Sequence, residues 1–463
     1  MATTAGTLSI SQRAALHQAS KDLLQEATQF LQQLIRIDTT NPPGLNYREI
    51  AVLIKDKLQV LDYDTELLEV ASQDLRALAP HDEDLHERVN FIGRLKSKSK
   101  SPSLVTVDGK TRQKTIHFNG HTDVVPVGDL STWTHPPFAA DIVDGVIYGR
   151  GVSDMKGGLA AGIWAVEAVR RSGLVLKGTV EQSGVVDEES TGIRNAGAGW
   201  LIEQQHVGPT TCDAVVITEP LNVDNVCLGH RGKLPPSSGN ELSFNNISQV
   251  PYGEQVFFGR ASHGATPQRG INALVHAATF ILRANEEIAA KLVDKRDNRV
   301  IPEESQGASL TFTVLEAGKN FNSVPDRATL SFDRRLVPSE TLDEARSQIK
   351  SVLDALTKEI EDFSYKYTES YSTEPVWVDK ELEVCKIWKD AVEKVLGTPA
   401  GIVCSPGSDD QRFFVRGGIQ QTIVYGPGNI RNVHNKDEAL DVEDFRKSIE
   451  VMAVGVAEFL GVD

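Results

Sequence analysis

The sequence predicts an α/β protein in which a mixed sheet carries helices on both faces and a second, ferredoxin-like βαββαβ domain is inserted into the first. Three observations point there. The chain has 463 residues, more than one ordinary core takes up, so two domains are expected. From Thr115 onward, apolar strand-like runs alternate with helical stretches, and the runs end in short polar phrases flanked by glycine. Near Gly229 the order becomes strand, helix, strand, strand, helix, strand, and after Glu374 the first pattern resumes. The expected boundaries are 1–228 with 372–463 for the outer domain and 229–371 for the inserted one.

The elements follow in order. Leu23 to Ile37 has helical amphipathic spacing and stops before the turn Asn41-Pro42-Pro43-Gly44, and Tyr47 to Leu61 reads as a second helix. Ala79 to Glu87 is charged and loop-like, and the Ser/Lys-rich stretch Lys96 to Gly109 reads as an exposed hairpin or loop. Strands are expected at Thr115 to Asn119, Val146 to Tyr148, Gly178 to Ser183 and Asp213 to Thr218. Between them come helices at Gly157 to Ser172, with small residues on one face for close packing on a sheet, and at Ile193 to Glu203. The inserted unit reads as strand Gln255 to Gly259, helix Asn272 to Ile288, strands Ser309 to Leu315 and Ala328 to Phe332, helix Leu342 to Leu356 and strand Phe363 to Ser370. The return reads as helix Lys380 to Leu396, strands Gly401 to Cys404 and Gln421 to Tyr425, and helix Val442 to Leu460.

Composition narrows the function. The net charge is −16, which argues against nucleic acid or an anionic membrane as partner; its plainest meaning is solubility. No run of 18 apolar residues suggests a membrane span, and Met1 to Lys21 lacks the basic start and apolar core of a signal peptide. The four cysteines, Cys212, Cys227, Cys385 and Cys404, show no CxxC spacing. They read as buried small hydrophobes in a reducing, cytoplasmic setting rather than a disulfide framework or a structural zinc site.

Five residues carry the chemistry: His121, Asp154, Glu189, Glu219 and His434. They stand in the phrases HFNGHTDVVP, GRGVSDMKGG, VVDEESTG, VVITEP and VHNKDE. Each phrase alone has an ordinary alternative. His121 with Asp123 two residues on fits a loop histidine beside a capping aspartate, or a metal ligand whose ring the carboxylate orients. Asp154 fits a helix N-cap or a bridging carboxylate in a glycine-rich turn. Asp187, Glu188 and Glu189 fit a solvated acidic loop, or a cluster whose mutual repulsion two cations relieve, with Glu189 as ligand and Glu188 as general base. Glu219 fits a solvated strand end, and His434 a surface histidine. Jointly the order, the strand-end placement and the ligand chemistry point to metal-assisted hydrolysis. Zinc takes His and carboxylate ligands at ~2.0–2.2 Å, and two-metal hydrolases hold their ions ~3.5–4 Å apart.

At these residues the chain resembles the acetylornithine deacetylase and succinyl-diaminopimelate desuccinylase family of di-zinc amidohydrolases and exopeptidases, over about Leu23 to Leu460. The resemblance implies a zinc-exopeptidase-like catalytic domain. It implies one divalent ion, zinc or else cobalt, on His121, Glu219 and Asp154, and a second on Glu189, His434 and the same Asp154. Glu188 would be the base and Asp123 the support of His121, with a cis peptide after Asp154. GRASHGATPQRGINA (Gly259 to Ala273) is similar to the segment whose histidine enters the partner's active site, which gives His263 an oxyanion-stabilising role in a homodimer. NSVPD and FDRR are similar to the family's substrate-carboxylate contacts, here Asn322 and Arg335; a sheet-edge ion pair is the alternative for Arg335. GSDDQRF is similar to a loop closing on substrate, with Ser408 and Arg412 as further carboxylate contacts.

The chain departs from that pattern after His230-Arg231-Gly232. There the family runs almost directly into a strand, whereas this chain reads KLPPSSGNELSFNNISQVPYGEQ, with prolines and Ser/Asn that do not suit one. The expected activity is hydrolysis of an N-acyl amino acid amide bond by a two-metal-activated water, Glu188 shuttling the proton. A dipeptidase or carboxypeptidase on the same scaffold is the alternative. A non-catalytic binding protein is disfavoured by the intact Glu188, and a two-metal phosphatase by the lack of a basic phosphate cradle. The small-molecule partner is thus an N-acyl amino acid or short peptide.

Overall fold

The computed structural model describes residues 7–78, 86–189, 196–234, 255–368 and 372–463. Parts of several expected elements lie outside them: 79–85 of the charged loop, Ser190, the helix start at 193–195, residues 235–254, and the strand end at 369–370. The chain divides into two compact units. One is Met1–Gly229 with Val378–Val403 and Asp409–Asp463; the other is His230–Trp377 with Cys404–Ser408.

After a first helix, Ile10–Asp22, the first unit continues with helices α1 (Leu24–Arg36) and α2 (Tyr47–Val60), followed by strands β1 (Asp64–Glu69), β2 (Val89–Leu95) and β3 (Thr115–His121). Helix α3 (Gly157–Arg171), strand β4 (Thr179–Val185), helix α4 (Ala198–Glu203) and strands β5 (Ala214–Ile217) and β6 (Asn225–His230) come next. The helices are placed by their apolar faces: α1 buries Ala27, Phe30, Leu31, Leu34 and Ile35. Strands β3, β4 and β5 are buried along their whole length, as strands covered on both faces must be.

In the second unit come β7 (Gly232–Leu234), β8 (Gln255–Phe258), β9 (Ser262–His263), α5 (Ala273–Ala284), β10 (Ser309–Ala317), β11 (Ser323–Val324), β12 (Arg327–Leu336), α6 (Leu342–Glu359) and β13 (Ser364–Tyr367). The chain then returns to the first unit with α7 (Glu383–Leu396), α8 (Gln411–Arg416), β14 (Thr422–Val424) and α9 (Val442–Leu460).

The sheet of the first unit runs β1-β2-β4-β3-β5-β14-β6. Its middle, β4-β3-β5-β14, is parallel, while β1, β2 and β6 pair antiparallel, so the sheet is mixed. Register matters for the chemistry: His121 stands opposite Val185, and Asn119 opposite Ile217, which itself faces Val424. Four parallel strands therefore end at one edge, where ligands of open α/β sheets gather. Strands β1, β2 and β6 and the first helix, Ile10–Asp22, were not read from the sequence. Edge strand β1, half acidic, lacks an apolar run, and the helix Ile10–Asp22 has little apolar bias and is held by a Ser9/Gln12 capping box.

In the second unit β13-β8-β12-β10 pair antiparallel in that order. Helices α5 and α6 supply Ala277, Phe280, Ile349, Val352, Leu353 and Leu356 to a core with Phe257, Leu330 and Phe332. This is the βαββαβ arrangement. The β12 edge that carries β8 also carries β7, further along: Gly232 to Leu234 face Leu336 to Arg334, and Gln255 faces Leu330.

Candidate metal centre

The candidate site lies within the first unit, at the carboxyl edge of its parallel strands. His121 is the last residue of β3, Glu188 and Glu189 follow β4, and Glu219 follows β5. Asp154 lies in the turn leading into α3, where Gly151 has φ +83 and the Asp154–Met155 peptide is cis. Gly158, early in α3, sits so close to the end of β5 that a Cβ there would meet the Thr218 carbonyl oxygen at 1.8 Å. Only glycine lets the turn carrying Asp154 approach the strand end carrying Glu219. His434 comes from the loop after β14, at φ +62.

The five side chains meet. His121 Nε2 is 3.0 Å from Asp154 Oδ1 and 3.4 Å from Glu219 Oε1. His434 Nε2 is 3.1 Å from Asp154 Oδ2 and 3.1 Å from Glu189 Oε1. The two oxygens of one carboxylate thus face two different histidines, each with its own further carboxylate. Donor atoms of His121, Asp154 and Glu189 lie within 4.8 Å of one another, as do those of His121, Glu188 and Glu219.

Electrostatics say what such a cluster needs. Burial, with Asp154 beside it, pushes the Glu219 carboxyl well above its usual range. Burial likewise raises Glu189, with Asp154 adding to it and His434 opposing. Burial disfavours a charged His121 ring, but Glu219 and Asp154 outweigh it and hold its pKa well above the ordinary value. For His434 the same contest, against Asp154 and Glu189, ends at about 11. The group therefore holds protons it would release to cations. Two imidazoles, His121 buried and His434 half exposed, with three crowded carboxylates fit divalent metal ions.

Glu188 stands beside this set. Burial is the main cause that raises its carboxyl well above the usual range, with His121 and Arg412 pulling it back; Arg412 Nη1 is 3.9 Å from its Oε1. Asp123 works differently from the expected ring support. His121 Nδ1 meets the Asp123 backbone carbonyl at 2.9 Å, the carboxylate being 3.6 Å away. That carboxylate instead accepts the Glu189 amide at 3.0 Å, the Glu188 amide at 3.4 Å and the Asn41 side chain at 2.9 Å. It fixes the backbone bearing the two glutamates.

Asp187, read in sequence as one of three repelling carboxylates, is held apart from them. Buried Arg88 donates its Nε to both Asp187 oxygens at 3.0 Å, and Asn41 and the Tyr47 hydroxyl add contacts at 3.3 Å. Neither Arg88 nor Asn41 was singled out from the sequence, where the only signal was the unusual Asn-Pro-Pro-Gly turn. Glu438 closes the quoted phrase VHNKDE but drew no role there; it is buried against the Asp154 turn.

Of the remaining candidates, Arg412 is buried beside Glu188. His263, Asn322, Arg335 and Ser408 belong to the second unit. There His263 is exposed and pairs with Ser323 across β9 and β11, which puts Asn322 next to it in the ladder. Arg335 is engaged by Asp333, Nε to Oδ1 at 2.9 Å, on a strand paired on both sides rather than at a sheet edge. All four cysteines are buried and none forms a disulfide among the described residues. No helix among the described residues is long and apolar enough to cross a membrane.

Comparison with known proteins agrees with this geometry. Residues 117–457 match the sequence profile of peptidase family M20/M25/M40. An uncharacterised metallohydrolase of Methanococcus maripaludis is 25% identical over 448 residues, spanning 93% of this chain and 98% of the relative. The crystal structure of human carnosine dipeptidase 1 superimposes with a TM-score of 0.68 at 16% identity, over 98% of this chain and 100% of that one. That of an M20 family metallo-carboxypeptidase from Sulfolobus solfataricus gives 0.67 at 18% identity, over 94% and 99%.

Proposed function

We propose, from the premise that this chain belongs to peptidase family M20/M25/M40 and is a metallohydrolase of amide bonds, that it hydrolyses an N-acyl amino acid, in the manner of a deacetylase or desuccinylase, at two zinc ions. The carrying observation is Glu188: a partly buried carboxyl whose pKa is raised, its oxygen within 4.8 Å of donor atoms of His121 and Glu219. Two bound divalent ions would polarise the scissile carbonyl and make water acidic. His121, Asp154 and Glu219 would hold one ion; Glu189, His434 and the same Asp154 would hold the other. Glu188 takes a proton from the attacking water and returns it to the leaving amine as the C–N bond breaks. Asp123 keeps Glu188 and Glu189 aimed by holding their amides. His263 of the partner subunit steadies the developing oxyanion, and Asn322, Arg335, Ser408 and Arg412 receive the substrate carboxylate.

One observation favours the peptidase alternative. Asp410, beside Arg412, is 2% exposed, and its Oδ1 has no hydrogen-bond partner. Burial raises its pKa to about 6. Such a carboxylate suits a free ammonium, as on an unblocked dipeptide, better than an acylated nitrogen. The test is a panel of N-acetylornithine, N-succinyl-diaminopimelate, N-acetylmethionine and simple dipeptides, run before chelation, after it, and after return of zinc or cobalt. Turnover of the acyl amino acids carries the proposal, and preference for dipeptides replaces it. Metal-independent turnover sinks both readings. Chelation should also lower the thermal midpoint by about 5–10 °C, since ligand that binds only the folded state adds its binding free energy to stability.

The assembly we infer is a homodimer formed through the second unit. Strand β10 is an edge strand whose Val314 and Leu315 are 47% and 39% exposed, and helix α5 exposes Val275 and Leu282 at 54% and 71%. A long apolar edge invites pairing with another chain. Val314→Lys with Leu315→Lys should turn a dimer into a monomer in light scattering coupled to gel filtration; an unchanged mass would remove this face from the assembly.

A further inference from the structure

We propose that Glu438 is the positioning residue of the bridging carboxylate, and that without it the site holds one ion in place of two. Glu438 is 1% exposed. Its Oε1 accepts the amides of Ser153 at 2.9 Å and Asp154 at 3.0 Å. Its Oε2 accepts the Gly151 amide at 3.2 Å and Arg150 Nη1 at 2.7 Å. One carboxylate therefore satisfies three backbone donors of the turn whose tip is Asp154, and a buried arginine neutralises it. Within the turn the Val152 and Lys156 amides bond to the Gly149 and Gly151 carbonyls, whereas the Gly151, Ser153 and Asp154 amides bond to Glu438, so Glu438 fixes where Asp154 points.

The same residue ends the loop that carries His434, four positions earlier. Beyond it Ala439 accepts the Ser153 hydroxyl at 2.8 Å and pairs with Tyr148. Glu438 thus ties together the two segments that supply Asp154 and His434, the pair whose separation a second ion must match. Nothing places Glu438 against the reacting atoms; it acts through Asp154.

This inference rests on the two-metal reading, and zinc titration by calorimetry tests both. Unaltered protein that takes up fewer than two ions sinks the two-metal reading itself. Given two, Glu438→Ala should take up one, and Glu438→Gln should keep two with the weaker site loosened by about 10- to 100-fold, the range seen when outer partners of ligands are lost. In the cobalt-loaded protein the visible absorption of Glu438→Ala should fall by about half. The activity of Glu438→Gln should fall in kcat with KM held within about threefold, since substrate contacts are untouched. Wild-type affinity in either variant overturns the proposal. If Glu438→Ala does not fold, Glu438→Gln decides alone, and a loss of metal from Glu438→Gln that merely tracks unfolding by circular dichroism overturns the proposal too.

A second inference comes from strand register. Leu234 faces Arg334 and Gln255 faces Leu330 on the same edge of β12. Only three positions of β12, Ser331 to Asp333, separate those partners, yet twenty residues, 235–254, separate Leu234 from Gln255. We infer that β7 and β8 are two halves of one strand, interrupted by an insertion of seventeen residues. A chain lacking residues 235–251 keeps Leu234 in its cluster with Leu336, Leu342 and Ala345. It sets residues 252–254 opposite the three intervening positions, Ser331 to Asp333, and loses Pro235, Pro236 and Pro251, which suit no central strand.

The number is the test, because a slip of one residue turns every side chain to the other face. Chains shortened by sixteen, seventeen and eighteen residues should differ in thermal unfolding. The seventeen-residue deletion should match the full chain or exceed it by up to about 5 °C, while its two neighbours should fall about 5 °C or more below. A smooth trend across the three, or failure of all three to fold, overturns the inference.

Discussion

Glu188→Gln should lower kcat by about 1,000-fold, the middle of the range for a lost general acid–base, with KM and metal content nearly unchanged. The substitution keeps volume and hydrogen-bonding capacity and removes only the ability to take a proton. Its surroundings predict little else. The Glu188 amide stays bonded to Asp123 at 3.4 Å, the ligand set around Asp154 keeps its own contacts, and Arg412 remains anchored to the Asp409 carbonyl. Burial already disfavours the charged Glu188 carboxylate, so a neutral amide there relieves repulsion from Glu219 and Asp410 while giving up the pull of His121 and Arg412. Steady-state kinetics with parallel metal analysis gives the answer. A variant within about tenfold of wild type would take the base role away from Glu188, and a variant stripped of metal would make Glu188 a ligand.

The site was legible because its residues sit where chain direction is most constrained. An apolar run that stops at His121, Val186 or Thr218 announces a buried strand end, and parallel strands collect their ends on one edge. What the sequence could not supply is the direction of neighbouring carboxylates. Asp187, Glu188 and Glu189 are adjacent letters, but a left-handed Asp187, φ +63, turns its own side chain to Arg88, while Glu188 faces His121 and Glu219 and Glu189 faces His121 and Asp154. Arg88 lies ninety-nine residues away from Asp187, and no local pattern couples them. Glu438 was hidden for a related reason: three of its four partners are backbone amides, which carry no residue identity, and the fourth, Arg150, is 288 residues away. In the second unit helix and strand periodicity showed the βαββαβ order. The continuation of β7 into β8 was obscured because twenty residues stand between two short strands, each too brief to show alternation.

The second large effect is expected at Asp154. Asp154→Ala should bind at most one zinc ion and lose kcat by more than about 1,000-fold, the loss of a second metal's charge and of the common ligand acting together. The argument is geometric. Of the five candidate ligands only Asp154 touches both histidines, through Oδ1 at 3.0 Å and Oδ2 at 3.1 Å. Glu219 stands with His121 and Glu189 with His434, so removing either glutamate should impair one ion and spare the other. Removing Asp154 leaves each histidine with one carboxylate and no shared anion between the ions, and two divalent charges ~3.5–4 Å apart then repel without a bridge. Asp154→Asn is the sharper comparison, because it fits the same turn and keeps the Glu438 contacts to the backbone, yet cannot bridge as an anion. If zinc titration finds two ions of wild-type affinity in Asp154→Asn, the shared-carboxylate arrangement is wrong. If it finds one ion, with Glu219→Gln and Glu189→Gln each retaining the other, the two half-sites are independent and Asp154 is what makes them a pair.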